Sequence, residues 1–190
     1  MKFYEAWEES GYLFIRSELC EKGNLNDFLV EMERQSENQL LNEEDVWKFF
    51  FQMVCSVKHV HDCGFIHLDI KPSNFFVKED GTIKLGDFGQ SIELSRVSAL
   101  RDDDVEGDSV YMAPELLLNN VKLTDKISVK ADIFSLGASL LELASGMNLP
   151  QNGIIWHKLR EGDTIKFSPS TKRSDQIEQI INMMMEPNPN

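Results

Sequence analysis

Four residues near the middle of the chain have the side chains and the spacing to act on a phosphoryl group. Asp69, Lys71 and Asn74 fall within one six-residue segment, and Asp87 follows Asn74 after thirteen positions. Carboxylate and amide oxygens are ligands for Mg²⁺, and a carboxylate can accept a proton from a reacting hydroxyl. A lysine ammonium offsets negative charge. Together these groups predict a magnesium-assisted transfer of a phosphoryl group to a hydroxyl.

Each of these residues has a plainer interpretation when it is taken singly. An isolated Asp69 or Asp87 is typical of a turn or a helix cap, and an isolated Asn74 is typical of a side-chain-stabilised turn. His67 alone would be a hydrogen-bonded histidine of the core. The prediction depends on three segments taken together: His67-Leu68-Asp69-Ile70-Lys71-Pro72-Ser73-Asn74, Asp87-Phe88-Gly89 and Ala113-Pro114-Glu115.

Phosphoryl transfer gives each of the four residues a separate task. Asp69 would orient the acceptor hydroxyl and accept its proton, and Lys71 would offset charge on the moving phosphoryl group. Asn74 and Asp87 would supply a neutral and an anionic oxygen to the metal ions. Short strands between these residues would bring all four to one cleft.

The first third of the chain is predicted to form a hairpin and two helices. Aromatic-rich stretches at 3–7 and 12–19 flank a polar turn and predict a β-hairpin. Asn24 is placed to cap a short helix. Asn42 is placed to cap a longer one, whose apolar stripe ends before Gly64.

The remaining two thirds are predicted to contain short strands, one long loop and further helices. The short apolar runs that predict strands are 65–66, 75–77 and 83–85. Residues 90–112 are polar and acidic and predict a long surface loop. Helical character returns at 114–118. The apolar stretch 131–144 predicts a buried central helix ended by Gly146, and 154–185 predicts two amphipathic helices.

Composition narrows the classes of function. The chain has 190 residues, 42% of them hydrophobic, which suffices for one domain with a substantial core. A formal net charge of -13 disfavours binding to nucleic acid or an anionic membrane. The three cysteines lack C-x-x-C spacing and, without a signal peptide, predict a reducing compartment. No apolar run approaches the roughly 20 residues of a membrane span, so no membrane segment is expected in this chain.

The three segments resemble the signature motifs of eukaryotic protein kinases, and the resemblance runs from about Phe3 to the end of the chain. It implies an α+β fold with a mainly helical C-lobe and a remnant β-hairpin of the N-lobe. Residues 1–19 would be remnant N-lobe strands and the start of the hinge. Residues 20–190 would be a C-lobe that lacks its C-terminal end. ATP and Mg²⁺ are the implied cofactors, and a protein is the implied substrate.

The same resemblance implies roles for further residues. Asp69 and Lys71 take the catalytic positions, His67 and Phe88 would stack in a regulatory spine, and Asp132 would anchor the catalytic loop. The residues implied to lie around the nucleotide are Ser17 at the gatekeeper position, Glu18, Leu19 and Cys20 of the hinge, Phe76 beneath the adenine, and the metal ligands Asn74 and Asp87.

Within the family, the resemblance is strongest to the Wee/Myt kinases. The stretches that carry it are Glu5-Ala6-Trp7, Glu106-Gly107-Asp108-Ser109, Lys130-Ala131-Asp132-Ile133-Phe134-Ser135-Leu136-Gly137, and Pro150-Gln151-Asn152-Gly153 with Trp156-His157. Those kinases phosphorylate an inhibitory tyrosine, and in the Myt branch also a threonine, of a mitotic cyclin-dependent kinase. The resemblance therefore implies such a partner, negative regulation of mitotic entry, and a nuclear or cytoplasmic location. The branch stays open.

Two alternatives remain at this point. Lys71-Pro72-Ser73 is typical of serine/threonine kinases, which favours a generic kinase of that class. The glycine-rich loop, the third-strand lysine and its glutamate would lie before Met1, which favours a truncated, non-catalytic binding module. The intact catalytic residues favour descent from an active enzyme. We expect the 190-residue chain alone to have negligible kinase activity.

Two further expectations concern activation and the lower lobe. Leu68 stands where kinases activated by loop phosphorylation have an arginine that pairs with the phosphate. The loop instead carries acidic residues: Asp102, Asp103, Asp104 and Glu106. We therefore expect the activation segment to adopt its working shape without phosphorylation. Glu115 is expected to lack the arginine partner that the family provides further along the chain.

Overall fold

The computed structural model of the chain describes residues 1–35, 40–99, 107–117 and 127–187. Its first element is the predicted hairpin, in which β1 (Phe3–Glu9) pairs antiparallel with β2 (Tyr12–Ser17). The turn contains only Ser10 and Gly11, both at positive φ, as the right-handed twist of a tight hairpin requires. Trp7 stacks on Phe14 across the strands, with ring centroids 5.3 Å apart. The hairpin prediction is confirmed, although the first strand is two residues longer than predicted, the second is two residues shorter, and the turn is shorter.

Two asparagine-capped helices follow, as predicted. Helix α1 (Leu25–Gln35) begins after Asn24, whose Oδ1 accepts from the backbone N–H of Asp27 at 2.9 Å. Helix α2 (Glu43–Asp62) begins after Asn42, whose Oδ1 accepts from Asp45 N–H at 2.9 Å. These side-chain acceptors satisfy N–H groups that have no partner within the helix. Helix α2 then buries one apolar stripe in the core.

The core lies where α2 meets the central helix α3 (Val129–Ser145), which is flanked by α4 (Gly153–Glu161) and α5 (Asp175–Met184). Most of the α3 side chains are buried, as its nearly continuous apolar sequence predicts. Gly137 allows α5 to approach closely, because a Cβ at this position would lie 2.8 Å from Met184 Cβ. In the described part of the chain, no helix is both long enough and apolar enough to cross a membrane.

Two small antiparallel sheets position the candidate site. Strand β3 (Phe65–Ile66) pairs with β6 (Ile92–Glu93), and β4 (Phe75–Val77) pairs with β5 (Ile83–Leu85). The β4–β5 pairing carries the chain back past its own start, so that Gly86 N–H donates to Asn74 O at 2.9 Å. The predicted α+β fold is confirmed, and the sheets bring the segments around Asn74 and Asp87 together.

The prediction of an irregular loop at 90–112 is wrong for its first ten residues. These residues contain strand β6 and a short 3-10 helix, Leu94–Ala99, and Leu94 N–H donates to Gly64 O at 2.8 Å. A two-residue strand is too short to show an alternating pattern, which is why the sequence did not reveal it. The acidic residues at 102–104 and 106 lie outside the described residues.

Gly146 ends α3 in the left-handed conformation, and we expect its replacement by alanine to destabilise the protein. Its φ is +66°, and an added Cβ would lie 2.1 Å from Leu40 Cδ2. We expect the Gly146→Ala variant to lose about 2 kcal/mol of unfolding free energy, measured by denaturant titration. Gly81→Ala is the matched control, because Gly81 has φ +80° and no heavy atom within 4 Å. Equal losses in both variants would contradict a role for the Leu40 contact.

Candidate active site

The carboxylate of Asp69 is held from both sides by the two other polar residues of its segment. Asn74 Nδ2 donates to Asp69 Oδ2 and to Asp69 O, each at 2.7 Å. Lys71 Nζ lies 3.0 Å from Asp69 Oδ1. The 3-10 turn Pro72–Asn74 returns the chain so that these contacts form. The sequence prediction that Asp69, Lys71 and Asn74 share one site therefore agrees with their geometry.

Asp132 on α3 fixes the backbone that leads into this segment. Its side chain is fully buried, and its carboxylate accepts from His67 N–H and from Leu68 N–H, each at 2.8 Å. Leu68 has a φ of +64°, an uncommon conformation for a branched residue, and the second of these bonds holds it there. A third contact comes from His61 on α2, whose Nε2 lies 2.7 Å from Asp132 Oδ2. The predicted anchoring by Asp132 is confirmed.

His67 connects this backbone to the segment that carries Asp87. Its Nε2 lies 3.0 Å from Gly86 O, and its Nδ1 lies 3.3 Å from Asp69 N. Because the first partner can only accept and the second only donate, the contacts assign a neutral imidazole protonated at Nε2. The His67 and Phe88 rings lie 5.0 Å apart, as the resemblance implied. The histidine therefore places Gly86 and the following Asp87 at a fixed distance from Asp69.

The oxygens of Asn74 and Asp87 are free to bind a metal ion. Both hydrogen bonds of the Asn74 side chain use its nitrogen, which leaves its oxygen available. Within the described residues, the exposed Asp87 carboxylate forms no hydrogen bond or ion pair, and no cluster of three or more His, Cys, Asp or Glu side chains could hold a metal. Mg²⁺ needs only one or two protein oxygens when phosphate and water complete its shell. This donor set fits magnesium bound together with a nucleotide.

The segment after the hairpin lies beside the strand that carries Phe76. Lys22 N–H donates to Val77 O at 3.0 Å, and Val77 N–H donates to Gly23 O at 2.8 Å. The Phe76 ring covers Gly86, where an added Cβ would lie 2.9 Å from Phe76 Cε2. The aromatic ring predicted to lie beneath the adenine is therefore next to the residue that precedes Asp87.

The predicted gatekeeper and the three predicted hinge residues connect the hairpin to this region. Ser17 is the last residue of β2, and the Glu18 backbone N–H donates to Lys2 O at 2.8 Å. Leu19 is 75% exposed, whereas Cys20 is buried and burial raises the pKa of its thiol. The Cys20 N–H forms no hydrogen bond with any residue of the described ranges.

Several residues at the site were not assigned a role from the sequence. Asp108 Oδ2 lies 3.6 Å from Lys71 Nζ, so Asp108 is a second carboxylate near this lysine besides Asp69. His61 reaches Asp132 across 71 positions of sequence. Its position beside the apolar stripe of α2 is the only local signal for it, and a histidine there is more often an ordinary boundary residue. Arg160 and Trp156 of α4 contact residues 109–112. Nothing in the sequence indicated Arg160, and Trp156 entered only through the family resemblance, with no role assigned to it.

Burial of His67 predicts a specific pH dependence of stability. Desolvation lowers the pKa of His67 below its usual value near 6.5, although Asp132, the Gly86 carbonyl, Asp69 and Asp87 oppose the shift. Between the lowered pKa and 6.5, the unfolded chain binds more protons than the folded chain. The contribution of His67 to the unfolding free energy is therefore present above pH 6.5 and decreases as the pH falls through this window.

The comparison variant is His67→Gln, which keeps a nitrogen donor but does not titrate. We expect the unfolding free energy of the wild-type chain, minus that of the variant, to be smaller at pH 5 than at pH 7.5. Denaturant titrations at both values measure this difference. A difference that is constant or grows toward acid would contradict a neutral buried histidine.

Comparison of the sequence with known proteins shows which family has this set of residues. The sequence profile of the protein kinase domain matches residues 1–190. A probable protein kinase of Dictyostelium discoideum is 42% identical over 96% of the chain, which covers 49% of that protein. The mitosis inhibitor protein kinase wee1 of Schizosaccharomyces pombe is 37% identical over 98% of the chain, 20% of its own length.

A third relative extends the similarity to animals. The membrane-associated tyrosine- and threonine-specific cdc2-inhibitory kinase of Drosophila melanogaster is 38% identical over 100% of the chain and 33% of its own length. The chain therefore spans half or less of each of these three curated relatives.

Proposed function

The chain belongs to the protein kinase domain family, and on this premise we propose that it carries the catalytic and metal-binding residues of a kinase that transfers the γ-phosphate of ATP to a protein hydroxyl. The observation that carries the proposal is the environment of Asp69. Its two carboxylate oxygens are each held by a different side chain, and within the described residues the side-chain oxygens of Asn74 and Asp87 form no hydrogen bond or ion pair. A structural aspartate has no need of that arrangement.

The residues would divide the reaction as follows. Asp69 would accept the hydrogen bond of the acceptor hydroxyl. It would take up the proton as the hydroxyl oxygen bonds to the γ-phosphorus, while the bond from that phosphorus to the β–γ bridging oxygen breaks and ADP leaves. Lys71, 3.0 Å from Asp69 Oδ1, adds positive charge where negative charge develops. Asn74 and Asp87 hold Mg²⁺, which supplies charge neutralisation at the phosphates when it is bound. His67 keeps the Asp69 and Asp87 segments in register through its two ring nitrogens.

We further propose that the acceptor is an inhibitory tyrosine, or threonine, of a mitotic cyclin-dependent kinase, in the nucleus or cytoplasm. The relatives' names support the acceptor: one is called a mitosis inhibitor, and one is called tyrosine- and threonine-specific and cdc2-inhibitory. The second candidate is a generic serine/threonine kinase, which the Lys71-Pro72-Ser73 sequence favours. Acceptor preference separates the two.

The test uses the native protein that carries this chain, with Mg²⁺ and ATP. Three peptides copied from the phosphate-binding loop of a mitotic cyclin-dependent kinase each keep one acceptor, tyrosine, threonine or serine, at the same position. We expect transfer to tyrosine to have the highest kcat/KM. Preference for serine would favour the generic kinase. The absence of transfer to any peptide or to the folded cyclin-dependent kinase would refute the proposed function.

A further inference from the structure

Residues 109–112 are held to the body of the protein mainly by two side chains of α4. Arg160 Nη2 donates to Ser109 O at 2.7 Å and to Val110 O at 2.9 Å. Arg160 Nε donates to Met112 O at 3.2 Å, and Trp156 Nε1 donates to Ser109 O at 3.0 Å. We call Trp156 and Arg160 together the α4 latch. It binds three backbone carbonyls within a stretch of four residues.

The remaining carbonyl of this stretch is bound from α3. Ser135 Oγ donates to Tyr111 O at 2.9 Å, and the Tyr111 hydroxyl donates to Glu142 Oε2 at 2.5 Å. The segment begins with a turn in which Tyr111 N–H and Met112 N–H both donate to Asp108 O. All four carbonyls at 109–112 are therefore bound by helix side chains, and no sheet partner is needed to fix their positions.

The position of Arg160 is unusual for a cation. Only 7% of the residue is exposed, and its guanidinium stacks on the Trp156 ring at 4.0 Å. Within the described residues, no carboxylate forms an ion pair with it, so carbonyl dipoles replace the usual anionic partner. A buried charge of this kind is costly unless its hydrogen bonds are made. Arg160 therefore strongly favours the one backbone shape that supplies all of its acceptors.

This shape bears on the candidate active site through Asp108. Asp108 lies immediately before the latched carbonyls, and its Oδ2 lies 3.6 Å from Lys71 Nζ. A change in the path of residues 109–112 would move Asp108 and alter the charge around Lys71. Lys71 Nζ also lies 3.0 Å from Asp69 Oδ1, so this lysine connects Asp108 and the stretch that follows it to Asp69.

We propose that the α4 latch is a positioning device that shapes residues 108–112 for the protein acceptor and does so without a phosphate on the chain. The inference rests on the proposed function, because it assigns the acceptor to that edge of the site. A segment that depends on phosphorylation needs a cation that has no partner until the phosphate is added. Here the buried cation is already occupied by backbone carbonyls, and Leu68 contributes no charge.

Steady-state kinetics of variants in the native protein test the latch. We expect Arg160→Met to lower kcat/KM for the acceptor peptide by about 10- to 100-fold, because small displacements of positioning groups have effects of this size. The KM for ATP should change by less than about twofold. Arg160→Lys should resemble Arg160→Met, because one ammonium cannot reproduce the planar fork. Trp156→Phe keeps a ring and should show a smaller loss.

The matched control is Lys158→Met on the same helix. Lys158 is exposed, and Asp163 is its one ion-pair partner among the described residues, so this variant loses a cation of α4 without touching the latch. We expect its kinetics to equal those of the wild type. Phosphatase treatment of the wild-type protein should leave the acceptor kcat/KM unchanged.

Hydrogen exchange on the 190-residue chain gives a readout that does not need activity. In Arg160→Met, the Tyr111 and Met112 amides should exchange at least about tenfold faster, with α2 amides unchanged. Three results would each contradict the proposed role of the latch. The first is unchanged amide exchange in Arg160→Met, and the second is wild-type activity that requires phosphorylation. The third is a loss of kcat/KM that is equal for ATP and for the acceptor and accompanies a lower Tm. A wild-type protein that transfers no phosphate would refute the proposed function, while the exchange measurement would still decide the latch.

Discussion

Replacing Asp69 with asparagine is expected to lower kcat for phosphotransfer by about 10²- to 10⁴-fold, the range that a positioned general base contributes. The amide keeps the size of the side chain and one oxygen for the contact with Lys71 or Asn74. It cannot take up the hydroxyl proton, and it lacks the charge that Lys71 neutralises at 3.0 Å. The measurement is the initial rate of transfer to the tyrosine peptide by the native protein, with the KM for ATP determined in parallel.

The control for this variant is Asp80→Asn. Asp80 lies in the β4–β5 turn, where its Oδ1 accepts from Thr82 N–H at 2.8 Å, a bond that asparagine can also accept. We expect wild-type kinetics there. If Asp69→Asn keeps wild-type kcat, the role assigned to Asp69 is wrong. If the KM for ATP rises as steeply as kcat falls, Asp69 acts on the nucleotide and not on the acceptor.

The local parts of the fold were predictable because their causes lie within a few residues of sequence. Asn24 and Asn42 each accept from an N–H three residues later, and Gly146 adopts the left-handed conformation that ends α3. The same holds for Asp69, Lys71 and Asn74, which one short turn brings into contact. In these cases residue type and spacing determine the geometry.

The parts that could not be predicted depend on contacts between distant segments. His61 and Asp132 meet because α2 packs on α3, and nothing in the sequence around either residue specifies the partner. Arg160 reads locally as an ordinary cation near a helix C-terminus, like Lys158. The two residues differ because α4 packs against residues 109–112, which buries Arg160 and leaves Lys158 exposed. The resemblance to protein kinases implied a role for Asp132, but it implied none for His61 or Arg160.

The pKa of Glu115 depends on its burial, which the sequence alone did not give. No ion pair involves this carboxylate within the described ranges, and burial raises its pKa. The raised pKa follows from burial, since a buried carboxyl without a cation nearby favours its neutral form.

Asp132→Asn is expected to have the largest effect on stability, with a loss of about 3 kcal/mol of unfolding free energy. The carboxylate accepts three hydrogen bonds while fully buried, from two backbone N–H groups and from His61. An amide has one oxygen, so its NH₂ group must face at least one of these donors. The buried N–H of His67 or Leu68 then lacks an acceptor, and the positive φ of Leu68 loses its support.

Two measurements separate this local effect from a general loss of charge. Denaturant titration of the 190-residue chain should show the full loss for Asp132→Asn and less than about 0.5 kcal/mol for Asp62→Asn. The exposed Asp62 carboxylate has Lys58 as its one ion-pair partner in the described part of the chain. His61→Ala should destabilise less than Asp132→Asn, because it removes one donor and leaves both backbone bonds intact. A loss for His61→Ala equal to that for Asp132→Asn would mean that the histidine contact, and not the backbone N–H groups, gives Asp132 its importance.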